Sequence, residues 1–204
     1  MNHEDAKNLG SEDRKRALIA SYDDTQLTKL ASSLVQTQRV TSLHYLAVGE
    51  VLDAVLEQQP DLLILSLRQF REEAAGAVSK LAKSHPLPII ILCSGLDITE
   101  ARQALRSGAI SYLPDGFNLQ QLPTIAQIAM ERFAMIASLQ NELQRSREEL
   151  DARKSIERAK GILIGRRNMT ETEAHEALRR MAMDQGKTVR SIADTILSLS
   201  DILP

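Results

Sequence analysis

The sequence predicts an α/β protein, with an N-terminal (βα)5 domain on a parallel five-stranded sheet, a helical connector and a small three-helix C-terminal domain. Three observations carry this expectation. Short aliphatic runs alternate with helical patterns through roughly the first 120 residues. The stretch Phe133 to Lys154 contains no glycine or proline and spaces its large apolar residues in heptads. Three amphipathic signatures are crowded between Ser155 and Leu197.

Residues 1–14 are polar, lack the apolar stretch of a secretion signal and read as a tail. Within residues 15–130 the strand runs are Ala17–Ala20, Val40–Tyr45, Asp61–Ser66, Ile89–Cys93 and Ile110–Leu113. Helical patterns lie between them, near Thr25–Val35, Val48–Glu57, Glu72–Lys83 and Thr99–Arg106, and a last one runs on from Leu119. Continuous aliphatic strands such as Leu62-Leu63-Ile64-Leu65 suit a parallel sheet covered on both faces. Right-handed crossovers then give a doubly wound, flavodoxin-like sheet of order 2-1-3-4-5.

The connector, residues 131–154, places Ile136, Leu139, Leu143 and Leu150 on one seam, with Ser146 and Arg153 in the remaining seam positions. A leucine stripe left in water on so long a helix is costly, so the seam is expected to join two copies as a coiled coil.

In residues 155–204, Ile156, Ala159, Ile162 and Leu163 share one helix face, and Arg158, Lys160, Arg166 and Arg167 fall largely outside it. A second helix begins after Thr170, where Thr-Glu-Thr-Glu offers Thr170 as N-cap and Glu173 as its reciprocal partner. Ala174, Leu178, Met181 and Ala182 form its inner stripe, and Gly186 ends it. A third helix from about Thr188 turns Val189, Ile192, Ala193, Ile196 and Leu197 inward. Three such helices close one small core.

This segment resembles the ANTAR domain, the three-helix RNA-binding module of transcription antiterminators. The residues that carry the likeness are Ile156-Glu-Arg-Ala-Lys-Gly-Ile-Leu163, Glu173-Ala174, Leu178-Arg179-Arg180 with Ala182-Met183, and Ile192-Ala193. The resemblance implies an RNA-facing surface, and the candidate RNA-binding set is Ala159, Lys160, Arg166, Arg167, Arg179, Arg180 and Ala182. Arginine and lysine neutralise phosphates, and a guanidinium also stacks on a splayed loop base. Nine Lys and Arg against six Asp and Glu between Lys154 and Leu199 is only a mild excess, so charge alone would equally describe a solvated face.

Composition narrows the remaining classes. With 204 residues, 43% hydrophobic and 25% charged, the chain is expected to fold as one or two domains in the cytoplasm. The longest apolar runs are strand-sized, so no membrane partner is expected. A single cysteine excludes a disulfide framework, and His3, His44, His85 and His175 form no metal-ligand or catalytic spacing. No metal, cofactor or catalysed reaction is expected.

Residues Lys15 to Met130 resemble the receiver domain of bacterial response regulators. Pro60-Asp61-Leu-Leu-Ile-Leu-Ser66, Pro88-Ile-Ile-Ile-Leu-Cys93-Ser94 and Gly108-Ala-Ile-Ser-Tyr-Leu113 fall at its third, fourth and fifth strands. A working receiver carries a phosphoacceptor aspartate, an acidic pair for magnesium, a hydroxyl and a lysine. Here Ser66 replaces the acceptor, Ser21-Tyr22 the acidic pair, Cys93 the hydroxyl and Asp115 the lysine. Serine cannot form the mixed anhydride that makes aspartyl phosphate labile, so the domain is expected to be a pseudo-receiver. Asp23 and Asp24 suit either a residual metal site or the start of the first helix.

The whole arrangement is similar to the two-domain antitermination regulators of the NasT and AmiR type, and nearer to the NasT type. The shared stretches are Ala129-Met-Glu-Arg-Phe133, Arg153-Lys-Ser-Ile156, Arg179-Arg-Met-Ala-Met183 and Ile196 to Leu203. That resemblance implies a homodimer binding paired leader-mRNA hairpin loops of a nitrate/nitrite assimilation operon. It also implies restraint by a nitrate/nitrite-binding, NasS-like sensor protein instead of control by phosphorylation. The alternative left open is a phosphorylation-gated response regulator that uses its C-terminal helices on DNA.

Overall fold

The computed structural model describes residues 15–202 apart from Leu46, Leu96 and Asp115. The tail at residues 1–14 and the pocket position Asp115 therefore lie outside the described residues. The chain forms two compact units divided after Ile136.

The first unit is built on strands β1 (Arg16–Ser21), β2 (Arg39–His44), β3 (Leu62–Leu67), β4 (Ile89–Cys93) and β5 (Ser111–Pro114). They pair in parallel in the order β2-β1-β3-β4-β5, the doubly wound order expected from the sequence. Strands β3 and β4 are buried along their entire length because helices cover both faces. Alternate residues go to opposite sides. Leu63, Leu65, Ile89 and Ile91 pack with α2 (Val48–Gln58), α3 (Glu72–Ser84) and α4 (Ile98–Ser107). Leu62, Ile64, Ile90 and Leu92 pack with α1 (Asp24–Leu34) and the start of α5 (Leu122–Arg167). A 3-10 turn at Leu119–Gln121 leads into α5.

Local chemistry sets the helix ends. Asp23 and Asp97 each accept two backbone N–H bonds at the starts of α1 and α4. Asp23 thus serves as a cap, while Asp24 meets His44 Nδ1 at 2.7 Å. Gly108 ends α4 at φ 112°, and a Cβ there would stand 2.6 Å from Ala82 Cβ, so both conformation and space demand glycine.

Helix α5 runs from Leu122 to Arg167 without interruption. The element that closes the first unit therefore also supplies the first helix of the second, and no break marks residues 130 or 154. In the second unit it is followed by α6 (Glu171–Gln185) and α7 (Val189–Ile202). The core here is Ala159, Leu163, Ala174, Leu178, Ala182, Ile192 and Ala193. Four of these seven are alanines, so the helices meet closely over little side-chain volume.

Candidate nucleic-acid interface

The turn between α5 and α6 organises the basic surface of the second unit. Asn168 takes a left-handed conformation (φ 51°), which asparagine tolerates better than most residues, and lets the chain reverse. Thr170 and Glu173 then close a reciprocal capping box: Glu173 N–H donates to Thr170 Oγ1 at 3.3 Å, and Thr170 N–H donates to Glu173 Oε2 at 2.8 Å. The two bonds from Thr170 hold the Glu173 carboxyl below the usual carboxylate range. Gly186 ends α6 at φ 61°. The capping box and the glycine stop are as the sequence predicts.

Lys160 departs from its expected place on the outer face. It is only 7% exposed, and its Nζ lies 2.8 Å from Glu157 Oε1 and 2.9 Å from Glu171 Oε1. The hydrogen bond to Glu157, and next that to Glu171, push its pKa up; Lys160 in turn holds Glu171 down. The side chain ties α5 to the first residue of α6 and leaves at most one N–H for anything else. Glu157 stands three residues before Lys160, so half of this contact was readable as an i, i+3 pair; Glu171 comes from the next helix and was not.

Ala159 and Ala182 are also inside, at the meeting of the three helices. Neither presents a surface to a ligand, and their small size instead lets the basic helices approach. Arg166, Arg167, Arg179 and Arg180 are exposed. Three of these four, Arg166, Arg167 and Arg180, line one groove of about 660 Å³, and Arg179 is not among its lining residues. Ile162, Ala177, Met181, Ile196 and Leu199 supply its apolar lining. The groove had no sequence signal of its own, because its residues come from three helices and Ile162 and Met181 read simply as core.

The receiver-like pocket forms at the carboxyl edge of the sheet, where ligands bind in doubly wound folds. Register brings Ser21 opposite Ser66 and Leu67 opposite Cys93, so three of the predicted pocket positions do converge. Their chemistry is internal. Ser66 is buried and donates to Gln26 Oε1 at 2.6 Å, and Tyr45 donates to the Ser66 carbonyl at 2.6 Å. Ser21 exchanges hydrogen bonds with the Asp23 backbone. Tyr22 shares a 3.2 Å bond with Ser94 and lies under the Arg68 guanidinium, 4.9 Å from the ring centroid. Burial raises the Tyr45 hydroxyl pKa well above its ordinary value, so it stays a donor. Among the described residues, no group of three or more His, Cys, Asp or Glu side chains gathers to hold a metal ion. Gln26 and Tyr45 carry no sequence signal for this site, since only the packing of α1 and of the residue after β2 against the sheet edge brings them to Ser66.

The proposed seam residues Ile136, Leu139, Leu143 and Leu150 all lie exposed on α5, between 42% and 59%. Among the described residues, no helix is long and apolar enough to cross a membrane.

Comparison with known proteins places these observations. Residues 144–197 match the ANTAR domain model. The transcriptional regulatory protein PdtaR of Mycobacterium tuberculosis is 32% identical over 139 residues, covering 68% of each chain. The nitrate regulatory protein of Klebsiella oxytoca is 36% identical over 80 residues, 39% of this chain and 19% of that one. The CheY-like response regulator receiver domain of Methanospirillum hungatei superimposes with a TM-score of 0.53 at 18% identity, over 60% of this chain and 98% of that one. The likeness to the receiver shows the fold of the first unit; the domain match and the kinship with PdtaR identify the chain as a member of the ANTAR-domain transcriptional regulators, not an enzyme.

Proposed function

We propose that this protein is a transcription antitermination regulator whose second unit binds hairpin loops in a leader mRNA. The carrying observation is the coincidence of the ANTAR match at residues 144–197 with an exposed arginine surface on the same three helices. Arg166, Arg167, Arg179 and Arg180 meet phosphates and splayed bases, while Lys160, Ala159 and Ala182 hold the helices that carry them. Loop binding keeps the transcript from folding into its terminator hairpin. The exposed Ile136, Leu139, Leu143 and Leu150 pair two copies, so that two modules engage two loops with the gain expected of linked sites.

Control comes from a partner and not from a phosphoryl group, a reading supported by Ser66 and its hydrogen bond to Gln26. The likeness to a nitrate regulatory protein supports a nitrate/nitrite assimilation operon as target. A nitrate/nitrite-binding sensor protein, NasS-like, then holds the regulator off RNA until its ligand releases it. The test is binding of the purified chain to the leader transcript of its neighbouring operon, against a loop-scrambled transcript and duplex DNA, across a salt series. Loop-dependent RNA binding is expected; equal affinity for duplex DNA would refute the reading.

A further inference from the structure

The 660 Å³ groove between the end of α5, one face of α6 and the end of α7 opens beside the core of the second unit, against which its lining residues Ala177, Met181 and Ile196 pack. Its size falls in the range of about 300–1,000 Å³ that suits a compact organic group. The lining combines three kinds of chemistry. Ile162, Ala177, Met181, Ile196 and Leu199 offer an apolar surface. Arg166, Arg167 and Arg180 bring three guanidinium groups. Glu176 and Asp184, one turn of α6 to either side of Arg180, add two carboxylates, while the third carboxylate, Glu173, is engaged at the Thr170 cap.

An unstacked nucleotide requires this combination. Its base has a flat apolar face that needs cover once it leaves the stack. Its phosphate needs guanidinium, and the exocyclic amino groups of adenine, cytosine or guanine need acceptors such as a carboxylate. A purely anionic ligand would leave the apolar lining and the two carboxylates unmatched, and a purely apolar one would bury arginine. We propose that this groove receives one unstacked nucleotide of an RNA hairpin loop, with its base against Ala177 and Met181, its phosphate on Arg180 and its amino edge toward Glu176 or Asp184. The proposal rests on the RNA-binding reading above and assigns the loop-reading site to one place within it.

The probe is a pool of stem–loop RNAs with a fixed stem and a randomised loop, selected on the full-length protein. The selected RNA is then remade with an abasic nucleotide at each loop position in turn. With the parent protein, one abasic position is expected to weaken binding about tenfold or more, the scale of a lost base-stacking contact. Ala177→Leu, which fills the groove from α6, should lower affinity for the intact loop to a similar degree and lose nothing further at that abasic position. Leu199→Ala, a truncation at a half-exposed lining position, provides a second variant that keeps the fold and should weaken binding in the same position-dependent way. If both folded variants respond to every abasic position as the parent does, the groove is not the base site and the proposal falls, while loop recognition stands. If the pool yields no loop-dependent binder, the RNA reading and this proposal fall together.

Discussion

Truncating Leu178 to alanine tests whether the second unit depends on its own small core. Leu178 is fully buried and, with Leu163 and Ile192, is one of three large buried side chains in that core, against which Ile156, Met169, Met181, Val189 and Ile196 pack. Leucine-to-alanine changes at such sites cost about 2–5 kcal/mol, most where the surroundings cannot collapse into the space. The four alanines of this core cannot reach into a void, whereas Met169, Met181 and Ile196 pack against its edge and can move partly inward, so the middle of that range is expected. A unit of this size has a stability of roughly 3–10 kcal/mol, and the exposed length of α5 adds little apolar burial to it. Leu178→Ala should therefore consume a large part of the stability of the second unit and none of that of the first. Hydrogen–deuterium exchange read by peptide is the assay. Peptides covering Ala159–Leu163, Glu171–Gln185 and Ile192–Ala193 should lose protection, while those from β1 and β3 keep it. Unchanged protection in α6 would refute the packing argument, and equal loss in β3 would refute the independence of the two cores.

Other expectations are more direct. Arg180→Ala should weaken RNA binding and lower the slope of log affinity against log salt by about one, the signature of a single lost phosphate contact; an unchanged slope in a salt titration would remove Arg180 from the surface. Acetyl phosphate should leave the intact mass unchanged, and a gain of one phosphoryl group would contradict the reading of Ser66. Leu143→Glu on the exposed seam should give a monomer by light scattering and reduce affinity for a two-loop transcript far more than for a one-loop transcript. Acid should destabilise the second unit. The folded pKa values of Glu171 and Glu173 are depressed, so their contribution is complete above the unfolded carboxylate range near about 4.3 and is lost as pH falls through the lower folded values. Glu171→Gln with Glu173→Gln should flatten that dependence in a pH series of thermal melts.

The parts of the fold that were legible are those written in contiguous residues. The run Leu62 to Leu65 announced a strand covered on both faces, and Thr170, Glu173 and Gly186 marked both ends of α6, because capping is decided within a few positions. Strand ends moved by a residue or so, as at β5, expected at Ile110–Leu113 and found at Ser111–Pro114. The absence of an acceptor carboxylate at Ser66 was equally plain. Lys160 was misread because a helix pattern places a charged residue by its angle, whereas its burial depends on Glu171 arriving from the next helix. The groove escaped for the same reason. Ile162 belongs to the apolar periodicity of α5, and nothing in that periodicity tells a residue that seals a core from one that lines an opening beside it.

The alanines at the meeting of α5, α6 and α7 invert the usual relation between size and replaceability. In most cores the bulky residues are the ones whose loss is felt. Here Ala159, Ala174, Ala182 and Ala193 stand where any added carbon must push two helices apart, and overpacking of that kind costs about 1–3 kcal/mol at each site. Every such shift would also move the arginines carried on the outer faces of the same helices. A survey of tolerated substitutions across this unit should therefore find its strictest positions at its smallest side chains, and its arginines held in place by residues that never touch what they bind.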